Sequence, residues 1–283
     1  MKQRFAAAVL LVVVVGLAAC SDVVAPSRAH RRVAHLYNAI QHGSVTALAR
    51  LRKFALQGYA PAEFDLGLAY EHGKGAPKNG AQALYWFWKA ALQGYAPAEF
   101  ILGAAYVHGW GVPKNGAQAV RWFRKAALQG NAPAETVLGI AYFTGRGVPI
   151  RYVQAVRWFR KATHQGYVPA EAYLGLVYYR GRGVPKNDVR AVYWFRKAAL
   201  QSLAYAEFEL GVAYDHGQGV PRNLTKAVSW LKKAAAQKGR VGSLAQSEID
   251  KIEQDDRPDR GRSPSHPSSV PCVAAAPGAA EGG

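Results

Sequence analysis

Cysteine is nearly absent from this chain of 283 residues: Cys20 and Cys272 are the only two, and both lie outside the stretch where the apolar pattern is regular. No disulfide framework and no cysteine-based zinc site can therefore hold the fold together, so its stability has to come from packing. Acid is scarce as well, with 18 Asp and Glu against 36 Lys and Arg and a net charge of +18. That excess favours anionic partners, whether phosphate, acidic polysaccharide or membrane headgroups, and does not single out nucleic acid among them. Also missing are a nucleophile beside a base, a phosphate-binding loop and a cluster of metal ligands. The Gly-x-Gly turns follow helical rather than strand patterns, which is the wrong context for a dinucleotide. The sequence thus reads as a non-enzyme with no catalytic residue, cofactor or metal. What it has in quantity is punctuation: 29 glycines and 15 prolines recur too regularly for one compact globule and point to repeats.

The one long apolar run, Phe5 to Ala19, follows Lys2 and Arg4, which is the charged-then-hydrophobic order of a secretory signal; it is short for a bilayer span, which takes ~20 residues. It closes on Leu17-Ala18-Ala19-Cys20, which resembles the lipobox of bacterial lipoproteins. The resemblance implies that residues 1–19 are removed and that Cys20 is acylated as the mature N-terminus. Ser21 after the cysteine implies outer-membrane anchoring facing the periplasm; a soluble periplasmic or secreted protein is the alternative. Loss of Lys2 and Arg4 leaves +16, and an exported chain does not meet nucleic acid. Residues 20–30, with Pro26 and little apolar period, read as a tether.

Aligning Ala62-Glu63-Phe64 with Ala98-Glu99-Phe100, Ala134-Glu135-Thr136, Ala170-Glu171-Ala172 and Ala206-Glu207-Phe208 gives five units of 36 residues without insertion. In each, a first helix A, such as Ala62 to His72, carries apolar residues at the i, i+4, i+7, i+8 spacing of one helix face. It ends at a Gly-x-Gly-Val-Pro turn such as Gly109 to Pro113, where glycine admits positive φ and proline cannot continue the helix. Asn79, Asn115, Asn187 and Asn223 then stand where an N-cap is wanted, with Arg151 as the weak exception, and Gln82 and Gln118 complete capping-box patterns. Helix B, for example Ala117 to Gln129, lines up Ala119, Val120, Phe123, Ala126 and Ala127, and Gln129-Gly130-Asn131-Ala132-Pro133 leads into the next unit.

The strings Ala-Glu-x-x-Leu-Gly-x-x-Tyr, Gly-x-Gly-Val-Pro-Lys-Asn and Gln-Ala-Val-x-Trp-Phe-x-Lys-Ala-Ala-x-Gln-Gly are similar to the Sel-one-like (Sel1) repeat family, a relative of the tetratricopeptide repeat, over residues 62 to about 240. The resemblance implies an all-α fold, a right-handed α-solenoid of antiparallel helix-turn-helix repeats with helix A lining a concave surface, and scaffold or adaptor roles. The chain divides into a signal peptide (1–19), a tether (20–30), a degenerate N-terminal capping repeat (31–61), repeats at 62–97, 98–133, 134–169, 170–205 and 206–241, a C-terminal capping helix (242–256, its helical pattern running Leu244 to Glu253) and a disordered tail (257–283).

Several recurrent residues read as framework. The mid-helix glycines Gly67, Gly103, Gly139, Gly175 and Gly211 each cost about 1 kcal/mol of helix propensity, which close approach of helix B explains. The pairs beginning at Trp86, Trp122, Trp158, Trp194 and Trp230 sit beside alanines as core rather than as a sugar-stacking ladder. His72, His108 and His216 share one position at the end of helix A, where a cation suits the helix dipole. Glu63, Glu99, Glu135, Glu171 and Glu207 open helix A, where a carboxylate suits the other end of the dipole and can pair with bases of helix B. Arg121-Arg124-Lys125, Arg157-Arg160-Lys161 and Arg196-Lys197 form a basic ridge on helix B, read as a solvated outer face or as a site for an anionic polymer.

The repeats differ at two positions of helix A. The outer units carry acids there, Asp65 and Glu71, Glu209 and Asp215, whereas the middle three carry Ile101 and Val107, Val137 and Phe143, Tyr173 and Tyr179. Positions that accept acids at the ends read as exposed, so these six residues, with Trp110 on the adjoining turn, form the expected apolar patch for a protein or peptide partner; filling of inter-repeat space is the competing reading. The leading function is a non-catalytic protein-protein scaffold of the bacterial cell envelope. Recognition of an acidic glycan or peptidoglycan by the helix B ridge is the alternative. A β-lactam-related enzyme is the least favoured, since cysteine-rich relatives with that link rely on disulfide-linked repeats.

Overall fold

The computed structural model describes residues 28–42 and 44–255; the expected signal sequence, Cys20, most of the expected tether, Cys272 and the C-terminal tail lie outside the described residues. These form thirteen α-helices and no strand. Helices α1 (Arg28–Gln41) and α2 (Val45–Leu56) make the N-terminal cap. Five antiparallel A/B pairs follow, α3 (Ala60–His72) with α4 (Gly80–Leu92), α5 (Ala96–His108) with α6 (Gly116–Leu128), α7 (Ala132–Thr144) with α8 (Tyr152–His164), α9 (Val168–Arg180) with α10 (Asp188–Ala199), and α11 (Ala204–His216) with α12 (Leu224–Ala236), and α13 (Arg240–Asp255) closes the stack. This is the expected all-α solenoid.

The boundaries follow local chemistry. Each A helix ends at a left-handed glycine, Gly73, Gly109, Gly145, Gly181 or Gly217, with φ between 63° and 78°. The side chains of Asn79, Asn115, Asn187 and Asn223 then accept from the backbone N–H of Gln82, Gln118, Arg190 and Lys226 at 2.8 to 3.0 Å, while Arg151 makes no such bond. Three expectations are corrected. The Ala-Pro dipeptides open helix A rather than leading into it, because proline fits the first turn, where its missing N–H has no partner anyway. Helix α1 starts at Arg28, so Arg28, Ala29 and His30 belong to the folded body and not to the tether. The closing helix starts earlier, at Arg240.

The connection from each B helix to the next A helix also needs positive φ. Gly58, Gly94, Gly130 and Gly166 supply it at 73° to 82°, but the fourth B helix is followed by Ser202 at φ 59°. A Cβ at the glycine positions would touch nothing, so the penalty at Ser202 is conformational rather than steric crowding. Ser202→Gly is therefore expected to stabilise the protein by about 1 kcal/mol, read as an upward shift of the urea midpoint with unchanged slope.

The A helices form an inner layer: α7 buries eleven of its 13 residues, whereas α8 buries five of 13. What lets the two layers approach is the mid-A glycine. A Cβ on Gly67, Gly103, Gly139 or Gly175 would stand 2.5 to 2.6 Å from the ring of Phe87, Phe123, Phe159 or Phe195, and on Gly211 2.7 Å from Leu231. Close approach of helix B is thus the reason for the recurrent glycine, as the sequence implied. At the ends, Val33 and Ile40 of α1 and Ala245, Ile249 and Ile252 of α13 are buried and shield what would otherwise be exposed core.

Candidate functional site

A small set of side-chain contacts recurs from step to step and accounts for most of the polar residues. The first glutamate of each A helix is buried and accepts from the glutamine that ends its own B helix: Gln93 to Glu63 (2.6 Å), Gln129 to Glu99 (2.7 Å), Gln165 to Glu135 (2.8 Å), Gln201 to Glu171 (3.1 Å) and Gln237 to Glu207 (2.8 Å). Lys89 and Lys197 add ion pairs to Glu63 and Glu171 at 3.5 and 2.7 Å. Desolvation pushes the carboxyls of Glu63, Glu99 and Glu207 above their usual range, and that of Glu135 to about 7. In the sequence the glutamine is legible only as the start of the segment that leads into the next unit.

Between steps, Arg124, Arg160 and Arg196 donate to the phenol oxygens of Tyr142, Tyr178 and Tyr214 in the following A helix at 2.5, 3.3 and 2.7 Å. The phenylalanines of the Trp-Phe pairs are buried as core. The tryptophans divide, with Trp86 and Trp122 buried and the other three half-buried. Each of the five lies under the ammonium group of the lysine three residues on, at 4.1 to 5.4 Å from the ring centroid.

Once these contacts are assigned, a short rim remains where the A helices meet their turns. Trp110 is 46% exposed and Val107 37% exposed. The indole of Trp110 is stacked on the imidazole of His108, with centroids 4.6 Å apart and planes 17° apart. Burial, and then Lys114, push His108 below its usual value, so at this step the ring is a neutral platform and not the helix-end cation that the sequence suggested. His216 instead pairs with Asp215 at 3.5 Å. Among the described residues no three His, Cys, Asp or Glu side chains come together as a metal site requires, and no helix is long and apolar enough to cross a membrane.

The Sel1 repeat family matches residues 60–95, 96–131, 132–167, 168–203 and 204–238. The chain belongs to that family. Among solved structures it is similar to the protective antigen c5321 of uropathogenic Escherichia coli strains, which displays the same fold, at 35% identity over 79% of this chain and 52% of that one, with a TM-score of 0.66. It is also similar to a Sel1 repeat protein of Oxalobacter formigenes, at 34% identity over 78% of this chain and 86% of that one, with a TM-score of 0.72. The chain spans about half the length of the Escherichia coli protein. Comparison with curated proteins gives no match. Sel1 repeat proteins generally mediate protein-protein interactions, and the family is typically a non-catalytic scaffold.

Within the Sel1 array the expected apolar patch is only partly a surface. Val107 and Trp110 are exposed and Tyr179 is half-buried, but Ile101, Val137, Phe143 and Tyr173 are buried. They fill inter-repeat space, as the competing reading had it. Phe143 is only 3% exposed and meets Tyr152 edge-on at 5.5 Å, and Tyr173 lies flat on Phe159 at 5.1 Å and 8°. The inference of exposure from the terminal acids fails because those acids are not free in water. Desolvation raises the Asp65 carboxyl to about 7, and Glu209 hydrogen-bonds the half-buried Tyr205 phenol. Asp65 survives here by taking up a proton, and Glu209 and Asp215 by taking a partner.

Proposed function

We propose that this protein is a non-catalytic scaffold of the bacterial cell envelope, exported and anchored by a lipid on Cys20 at the outer membrane facing the periplasm, which holds a protein partner on the rim of the A layer around Val107, Trp110 and Tyr179. The observation that carries the docking site is Trp110, a large exposed ring fixed in orientation by its stack on His108. Ordered aromatic side chains lose little entropy on binding and are the commonest interface anchors. The N-terminal order of Lys2, Arg4, the apolar run and Leu17-Ala18-Ala19-Cys20 supports export and anchoring, and the basic, cysteine-poor composition is in keeping with a partner rather than a reaction.

A photo-reactive residue at position 110 is expected to trap the partner, and one at position 153 on the opposite layer is not. Trp110→Ala should then weaken that partner's affinity by about tenfold while the helical signal and the melting transition stay unchanged. Equal capture from both positions would sink the rim as the docking site. Growth with labelled palmitate tests the anchor, since Cys20→Ser should lose all label.

A further inference from the structure

The six outer helices α2, α4, α6, α8, α10 and α12 carry sixteen lysines and arginines and one acid, Asp188, which pairs with Lys186 at 3.3 Å. The other acids of the repeats are the five buried glutamates or belong to the A helices at the ends of the stack, so charge is segregated by layer. Lys89 and Lys197 pair with the buried Glu63 and Glu171; the other recurring contacts of this ridge leave its charge in place, because a phenol and an indole ring are neutral partners.

Apolar side chains share this face. Along each outer helix the positions i, i+4, i+7 and i+11 form one stripe: Val189, Tyr193 and Arg196 in α10 with Leu200 at its C-cap, and Ala117, Arg121, Arg124 and Leu128 in α6, all exposed. Leu56, Leu92, Leu128 and Leu200, about 70% exposed, line one margin of the layer, and Val45, Val153 and Val189 line the other. At its N-terminal end the stripe runs into an open groove of ≈ 570 Å³ lined by Val45, Leu48, Leu56 and Tyr70 together with Arg52 and Lys53.

We infer that this outer layer docks on an anionic lipid bilayer, with the arginines and lysines at the headgroups, the marginal leucines and valines entering the boundary below them, and the α2 groove taking part of a lipid chain. Charge alone would suit any polyanion. Leucines left in water on four of six steps, beside a groove that joins apolar walls to two bases, match the amphipathic chemistry of a lipid, since interfacial binding sums buried apolar area and attraction to anionic headgroups. A soluble acidic glycan offers nothing to the leucines. The inference is independent of the partner rim, which lies on the other layer.

The test is co-sedimentation of the full chain with vesicles of phosphatidylcholine alone and of phosphatidylcholine with phosphatidylglycerol at a ratio of about 7:3, a composition that gives the surface an anionic potential. Every variant keeps residues 1–27, so differences between variants read the outer layer. Binding should be much tighter to the anionic vesicles and fall with added salt. The triple variant Arg121→Gln, Arg157→Gln, Lys232→Gln, at exposed positions outside the recurring contacts, should lose about a hundredfold in affinity, or about fivefold per charge. Leu92→Ser, Leu128→Ser, Leu200→Ser should weaken binding at high salt as well as low, with circular dichroism unchanged in both variants. Equal binding to the two vesicles, or full retention by the triple glutamine variant, would overturn the proposal. So would an unchanged affinity in the leucine variant, which would make the layer a charge-only site for a soluble polyanion.

Discussion

Phe159→Ala is expected to cost about 4 kcal/mol and Gly139→Ala about 2 kcal/mol, and the two losses should not add. Phe159 is fully buried, and its ring lies in the space that a side chain on Gly139 would need, since a Cβ there would stand 2.6 Å from Cε1. The ring cannot retreat, because Tyr173 of the next A helix is stacked on it at 5.1 Å. Alanine at 139 would gain about 1 kcal/mol of helix propensity, but overpacking of a closed core costs 1 to 3 kcal/mol or more, so the net sign is destabilising. With Phe159 already truncated, the space is open and Gly139→Ala should turn neutral or slightly stabilising, giving a coupling of about 2 kcal/mol across the cycle. Urea unfolding of the four proteins measures it. Because each repeat leans only on its neighbours, a lesion in the third should also broaden the transition by uncoupling the two halves of the stack. Additive losses would mean that the glycine answers to some other constraint.

Most of the fold could be read from the residues because its period is written in chemistry that works locally. Left-handed glycine, proline and asparagine caps mark every turn of the repeats except the one at Ser202, without help from the tertiary structure. Reading failed where a residue has two uses. Proline before each A helix reads as part of the lead-in, yet in Pro61, Pro97, Pro133 and Pro169 it occupies the first helical turn. Helix α1 buries only Val33 and Ile40, too sparse a pattern to mark its start. Gln93 and its equivalents carried a signal in their strict recurrence, but the carboxylate each one meets is 30 residues away.

The candidate site was less legible, because departures from a repeat show which positions are free of the frame but not whether they are open to water. Val107 and Phe143 occupy the same register, and one is exposed while the other is packed against Tyr152. The difference depends on the neighbour in the B helix of the same unit, Tyr152 opening α8 where α6 opens with Gly116, which no single-position comparison carries. Phe143→Ser, a natural choice for disrupting the patch, would therefore strike the core instead. Trp110 was legible as an edge residue; the stack that orients it was not, since His108 looked like one of three equivalent helix-end histidines.

Stability is expected to fall as the pH rises from about 5 to 8, and Glu135→Gln should remove a large part of that slope. Burial raises the Glu135 carboxyl from 4.5 to about 7, so between those values the folded protein holds a proton that the unfolded chain has released. A raised folded pKa stabilises below the unfolded value, and the contribution is lost as the pH climbs through the folded one, at 1.36 kcal/mol per pH unit, for a total of about 3 kcal/mol. Asp65, raised to about 7, acts in the same direction, reduced by its partial exposure to solvent. Glu63, Glu99 and Glu207 are also raised. His108 opposes them, since its lowered value removes stability as the pH falls through 6.5, but it is one group against several. Glutamine at 135 keeps a carbonyl oxygen to accept from Gln165 and has no charge to desolvate. Glu135→Gln should thus match the parent at pH 5 and exceed it by about 2 to 3 kcal/mol at pH 8. Urea midpoints at the two pH values decide the matter: if parent and variant shift in parallel, Glu135 is ionised throughout and its buried pair with Gln165 is a charged one.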